Sequence, residues 1–151
     1  DLNGDNRLDI IVVSNDTGSI DVLLGYFEGF PDKVTYSTDS SPTSVIVGDL
    51  NNDNRLDIVV ANAGSNNVSV FLGNADGSFT EQVTYVTGFN PTSVIVGDLN
   101  NDTRLDIVVT NADSNNVGIL LGLDSGSFAD QMTFATGSHP VSVTIGDLNN
   151  D

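Results

Sequence analysis

Apolar residues in this chain come in short runs with a period of two, and no segment keeps the spacing of a helix face beyond a turn or two. The run SVIVGD at Ser44–Asp49 returns at Ser93–Asp98 and, as SVTIGD, at Ser142–Asp147. A second run, LDIVVAN at Leu56–Asn62, has counterparts starting at Leu8 and Leu105. The third is VSVFLG at Val68–Gly73, matched by IDVLLG at Ile20–Gly25 and VGILLG at Val117–Gly122. The fourth is QVTYVTG at Gln82–Gly88, matched by KVTYSTD from Lys33 and QMTFATG from Gln131. Turn-forming stretches separate them: GSNN from Gly64, ADGSF from Ala75 and FNP from Phe89. Short β-branched runs bounded by Gly, Asn, Asp and Pro are strands, so the pattern predicts an all-β chain of four-stranded antiparallel units.

The units repeat. DLNGDNRLDI opens at Asp1, DLNNDNRLDI at Asp49, DLNNDTRLDI at Asp98, and DLNND starts again at Asp147, giving periods of 48, 49 and 49 residues. Residues 49–97 and 98–146 share 30 of 49 positions. The chain therefore divides into repeats 1–48, 49–97 and 98–146, with the start of a fourth at 147–151. Within the first strand, Val45, Val94 and Val143 agree, as do Val47, Val96 and Ile145, while Ile46, Ile95 and Thr144 lie between them. The alternation predicts that the outer two positions face the core and the middle one does not. Phe79 and Phe128 follow a Gly-Ser turn, with Phe30 as counterpart, and are expected to plug the rim between neighbouring repeats.

Charge narrows the function. Against 21 acidic residues stand 4 basic ones, a formal −17, which excludes the basic patch that nucleic acid or an anionic membrane requires. There is no Cys, no N-terminal signal pattern and no apolar run of about 18 residues, so neither a disulfide framework nor a membrane span is expected. Acidity alone suggests disorder, but 38% of the residues are apolar and they alternate. Nineteen of the 21 acids are Asp, a poor helix former and a good loop ligand.

Eleven of those acids lie at fixed positions of one recurring loop. In the second repeat it reads Asp49-Leu-Asn51-Asn-Asp53-Asn-Arg55-Leu-Asp57, with oxygen side chains at positions 1, 3, 5 and 9 and a backbone carbonyl to offer at position 7. Alternating hard oxygen donors suit Ca²⁺, which takes six to eight of them. The expected sets are Asp1, Asn3, Asp5, Arg7 and Asp9; Asp49, Asn51, Asp53, Arg55 and Asp57; Asp98, Asn100, Asp102, Arg104 and Asp106; and, from the fourth loop, Asp147, Asn149 and Asp151. The arginines enter through their carbonyls. Gly4, Asn52 and Asn101 at position 4 tolerate a left-handed backbone, and Leu8, Leu56 and Leu105 at position 8 are expected to anchor the loop in the core. The EF-hand pattern is excluded by Asn6, Asn54 and Thr103 at position 6 and by the missing Glu at 12. Mg²⁺ fits less well because it keeps its waters, and Zn²⁺ would want Cys or His where the chain has only His139.

DLNNDNRLDIVVAN followed by the Gly-Ser-Phe turn resembles the FG-GAP/VCBS-like repeats of integrin α-chain heads, fungal lectins and large surface proteins, over the whole chain. The literal Phe-Gly and Gly-Ala-Pro motifs are absent, which places it at the VCBS-like end. The resemblance implies four-stranded propeller-type blades, calcium in the loop between first and second strands, an extracellular or cell-surface location, and no shared catalytic residue. Family propellers close with about seven blades, so three repeats and a start are read as a window on a longer array, either an arc of a propeller or an open fibre. The expected function is a calcium-stiffened structural or adhesive array whose partners are neighbouring repeats of the same or identical chains. The alternative is a lectin- or integrin-like module that binds glycans or surface proteins, with Tyr26, Phe27 and Phe89 as platforms. No enzyme is expected: the repeat accounts for the carboxylates, and His139 replaces Ser41 and Asn90 of the earlier repeats. Three sequons are glycosylation candidates, Asn15, Asn67 and Asn101, with Asn67 foremost because it is expected at a hairpin tip.

Overall fold

The structure, a computed structural model, describes residues 1–31 and 33–148. Eleven strands form three antiparallel sheets in tandem. The first sheet is β1 (Ile10–Ser14), β2 (Ser19–Leu23) and β3 (Lys33–Ser37). The second is β4 (Pro42–Gly48), β5 (Asp57–Asn62), β6 (Asn67–Phe71) and β7 (Val83–Val86). The third is β8 (Pro91–Gly97), β9 (Asp106–Asn111), β10 (Asn116–Leu120) and β11 (Met132–Ala135). In every sheet, chain order is spatial order. Each four-stranded sheet draws its first strand from the end of one sequence repeat and the other three from the next. Among the described residues no helix is long and apolar enough to cross a membrane.

Two corrections to the sequence reading follow from what is beside what. The Ser142–Asp147 segment forms no strand. Its counterparts β4 and β8 pair with β5 and β9, and the matching partner would come after Asp151. The first sheet has three strands for the mirror reason: the equivalent of β4 would precede Asp1.

The second correction concerns faces. Ile46 was expected to point away from the core, yet it packs on the apolar cluster between the second and third sheets, with Val59, Ala61, Val94, Ile107 and Val109. Val45 and Val47 pack on the cluster between the first and second sheets, with Ile20, Val22, Ile58 and Val60. The middle sheet is covered on both faces, so the period of two sorts residues between two cores rather than between core and solvent. All six residues of β5 are buried accordingly; all six of β9, in the third sheet, are buried as well.

Polar ties accompany the stacking. The Thr43 hydroxyl donates to the Pro91 carbonyl at 2.9 Å, and Thr92 repeats the bond to Pro140 at 3.0 Å. The phenylalanine plugs stand where they were expected. Phe79 meets Tyr36 of the preceding sheet edge-on at 5.6 Å, and Phe128 meets Tyr85 at 5.3 Å. Phe79 and Phe128 are buried, whereas Phe30, which has no preceding sheet in the sequence, is 44% exposed.

One position breaks the repeat. In the second sheet the Ser69 hydroxyl donates to Gln82 Oε1 at 2.6 Å. Gly118 replaces that serine in the third sheet, and Gln131 Nε2, reaching toward the empty Cβ position, is buried without a partner.

These contrasts set two expectations for unfolding experiments. Phe79→Ala should cost about 3–5 kcal/mol of stability, the usual range for a buried phenylalanine, while Phe30→Ala should stay within about 0.5 kcal/mol; equal effects in a denaturant titration would refute the plug. Gly118→Ser should raise stability by about 1 kcal/mol, by removing a strand glycine and pairing the amide, since only the flexible end of Gln131 must give way. An unchanged or lowered midpoint would count against that reading.

Candidate metal centre

The second and third loops join the first strand of a sheet to the second, where β4 hands over to β5 and β8 to β9, and the first loop leads into β1 in the same way. Short polar side chains wind it. Asp49 accepts from Asp53 N at 3.0 Å through Oδ1 and from Asn54 N at 2.8 Å through Oδ2. Asn51 Oδ1 accepts the same Asp53 N–H at 3.2 Å, and Asp53 Oδ1 accepts from Arg55 N at 2.9 Å. The third loop repeats this through Asp98, Asn100 and Asp102, and the first through Asp1, Asn3 and Asp5. Position 4 is left-handed as expected, with φ of 74° at Gly4 and 59° at Asn52 and Asn101. Position 6 is left-handed as well, at Asn6, Asn54 and Thr103, which the sequence reading did not foresee.

The structure brings positions 1, 3 and 5 together and gives position 9 a different setting. Asp57 is fully buried, with Oδ2 taking Leu50 N at 2.8 Å and Oδ1 taking Gly73 N at 2.8 Å. Asp106 does the same with Leu99 and Gly122, and Asp9 with Leu2 and Gly25. One carboxylate thus ties the start of the loop to the end of the third strand. The residue two past that strand is glycine because a Cβ on Gly73 would lie 2.3 Å from the Leu56 carbonyl oxygen, and on Gly25 or Gly122 2.4 Å from its equivalent.

Charge is concentrated here. Burial pushes the Asp57 carboxyl above the ordinary aspartate value; the N–H groups of Gly73 and Leu50 pull it back, and the charges of Asp53 and Asp49 add to the rise. Asp102 is held low, first by the Arg104 backbone N–H, with its own burial opposing and the Asn100 amide and the Arg104 guanidinium assisting. Burial likewise raises Asp5, but the backbone and side chain of Arg7 and the Asn3 amide outweigh it. The arginine side chains were missed in the sequence. Arg55 pairs with Asp53 and donates to the Gly73 carbonyl at 3.0 Å; Arg104 pairs with Asp102 and donates to Gly122 at 3.0 Å; Arg7 pairs with Asp5 at 3.1 Å. The available signal was that three of the four basic residues in the chain share one loop position.

The donor set is all oxygen, as a hard cation requires. Among the described residues no three His, Cys, Asp or Glu side chains converge in a metal-holding group; in the three full loops position 3 is Asn, its oxygen accepting from the position-5 N–H, and position 9 is bonded to backbone amides. Asp147 of the fourth loop is described and exposed, while Asn149 and Asp151 lie outside the described residues.

The loops also reach both neighbours. Leu56 and Leu105 pack on the clusters they share with the preceding sheet, but Leu8 is 83% exposed, which corrects the expectation that all three are anchored. Position 2 points the other way: Leu2 and Leu50 are buried against the following sheet. Asn52 Nδ2 donates to the Thr103 carbonyl of the next loop at 3.2 Å.

Other singled-out residues fall elsewhere. The Asn67 amide donates to Asp39 and its oxygen accepts from Asn62 at 2.8 Å, so the sequon expected foremost is half-buried and engaged; Asn15 and Asn101 are exposed. His139 stands 3.6 Å from Asp113 at the opposite end of the sheets from the loops.

Comparison with known proteins agrees with the repeat. The family model described as FG-GAP-like repeat matches residues 1–60, 51–109 and 98–151. No curated protein matches the chain. Among solved structures, the Photorhabdus luminescens Tc holotoxin pore is similar at 18% identity with a TM-score of 0.45, covering 87% of this chain; this chain spans only 7% of that one.

Thr103 is the one β-branched residue in a left-handed position of the loops, at φ 71° where the other copies have Asn. Thr103→Asn should therefore stabilise the chain by about 1 kcal/mol, the lower end of the penalty for an L-residue in that conformation. Chemical denaturation measures it, and a loss of stability would contradict the strain.

Proposed function

Because this chain belongs to the FG-GAP-like repeat family, with the family model matching it from end to end, we propose that it is an extracellular structural or adhesive repeat array stiffened by Ca²⁺. One observation carries the reading: the second oxygen-lined loop sits where two apolar joints meet, with Leu50 in one and Leu56 in the other, and the first and third loops each put one leucine, Leu2 and Leu105, into a joint. In the second loop Asp49, Asn51 and Asp53 would hold the ion with the Arg55 carbonyl, and Asp57 would close the set by turning one oxygen from a backbone amide. The other loops use the equivalent residues. When bound, the ion supplies positive charge among carboxylates that otherwise repel.

The chain's own residues do the rest. Arg7, Arg55 and Arg104 screen position 5 through their ion pairs with Asp5, Asp53 and Asp102. Leu50 and Leu56 transmit the loop's shape to the sheets on either side.

The second reading, a glycan- or protein-binding module, is favoured by three exposed aromatics, Tyr26, Phe27 and Phe89. Tyr26 and Phe27 lie at the metal-loop end of the first sheet and Phe89 in the β7–β8 connection at the other end. They form no common platform, so the structural reading is preferred. A glycan array distinguishes the two.

Calcium sites of extracellular modules bind with Kd of about 10⁻⁴ to 10⁻³ M. At roughly 1 mM calcium each site then adds about 0.4–1.4 kcal/mol, and three sites about 1–4 kcal/mol, because repeat stabilities sum. Thermal unfolding across a calcium titration should show a rising midpoint that EDTA reverses, and Asp53→Ala with Asp102→Ala should remove most of the gain. A midpoint indifferent to both calcium and EDTA would defeat the proposal.

A further inference from the structure

The three full loops are near copies, and the first departs from the others at one place, Asn3-Gly4, the only Asn-Gly pair in the chain. Two differences meet there. Gly4 offers an unshielded backbone nitrogen: a Cβ at this position would meet nothing within 4 Å, whereas the equivalent Asn52 and Asn101 carry side chains. The Gly4 N–H points at a proton acceptor, Asp1 Oδ1 at 2.7 Å. In the other loops Asp49 and Asp98 accept only from the amides of positions 5 and 6.

We propose that Asn3 is a site of spontaneous deamidation, a covalent change that the other two loops resist. The Gly4 backbone nitrogen attacks Cγ of Asn3, and the new N–C bond closes a five-membered succinimide. The Gly4 proton passes to the Asp1 carboxylate, which lies within the reach a general base needs. The Cγ–Nδ2 bond breaks, and the amide leaves as ammonia after taking up a proton. Water then adds to one of the two ring carbonyls, giving aspartate or isoaspartate, with no change of oxidation state. Aspartate places a carboxylate at positions 1, 3, 5 and 9 of this loop. Isoaspartate adds a backbone atom and shifts every later oxygen of the loop.

The test is peptide mapping of the folded chain, aged at mildly alkaline pH in calcium-free buffer so that its outcome does not depend on metal binding. Trypsin releases the peptide that ends at Arg7, and fragmentation separates Asn3 from Asn6. The expected result is an amide-to-acid mass gain at Asn3, severalfold faster than at Asn51 or Asn100, with isoaspartate in the product. Gly4→Asn, which restores the sequence of the folded second and third loops, should slow Asn3 to their rate. Conversion of Asn3 no faster than that of Asn51, or a rate unchanged in Gly4→Asn, overturns the proposal.

Discussion

The constraint on which this molecule depends is that a four-stranded sheet here has two apolar faces and cannot cover either one itself. Ile58 and Val60 look backward from the second sheet while Val59 and Ala61 look forward. Removing all four from water requires a sheet on each side. Ile10 and Val12, the equivalents of Ile58 and Val60, are exposed on the first sheet. Stability is therefore a property of the stack.

The acidic loops are part of that stack rather than an ornament on it. Asp57 lies buried between the Leu50 and Gly73 amides, so the loop's entry and the end of the third strand are held by one side chain. A buried carboxylate is tolerated only when hydrogen-bonded, and both of its oxygens are. Because Leu50 follows Asp49 and Leu56 precedes Asp57, a change in the loop's winding moves apolar groups in two joints at once. A cation acting on the loop would act on the array by this route.

The carboxylates also explain where the few cations of the chain are spent. Arginine at position 7 neutralises position 5 and reaches the carbonyl of Gly73 or Gly122 across the loop. Asp49 has no such partner and gives its oxygens to backbone amides. Local pairing of this kind allows the loop to be wound before metal is considered, and it leaves the net charge of −17 to be answered from outside.

Much of this was legible in one dimension. Strand positions, the repeat, the left-handed backbone at Gly4, Asn52 and Asn101, and the Phe79 and Phe128 plugs follow from short-range rules: alternation, turn chemistry and self-comparison between copies. What the sequence could not yield is which body lies against each side chain. The same leucine is buried as Leu56 and exposed as Leu8, and Ile46 faces a core that alternation alone assigns to solvent. The paired amide of Asn67, the arginine side chains across the loop and the opposite aims of positions 2 and 8 are likewise decided by neighbours in space. Period two says only that adjacent residues face opposite ways; whether the far side holds water or another sheet is fixed by stacking, an interaction between repeats that no single repeat encodes.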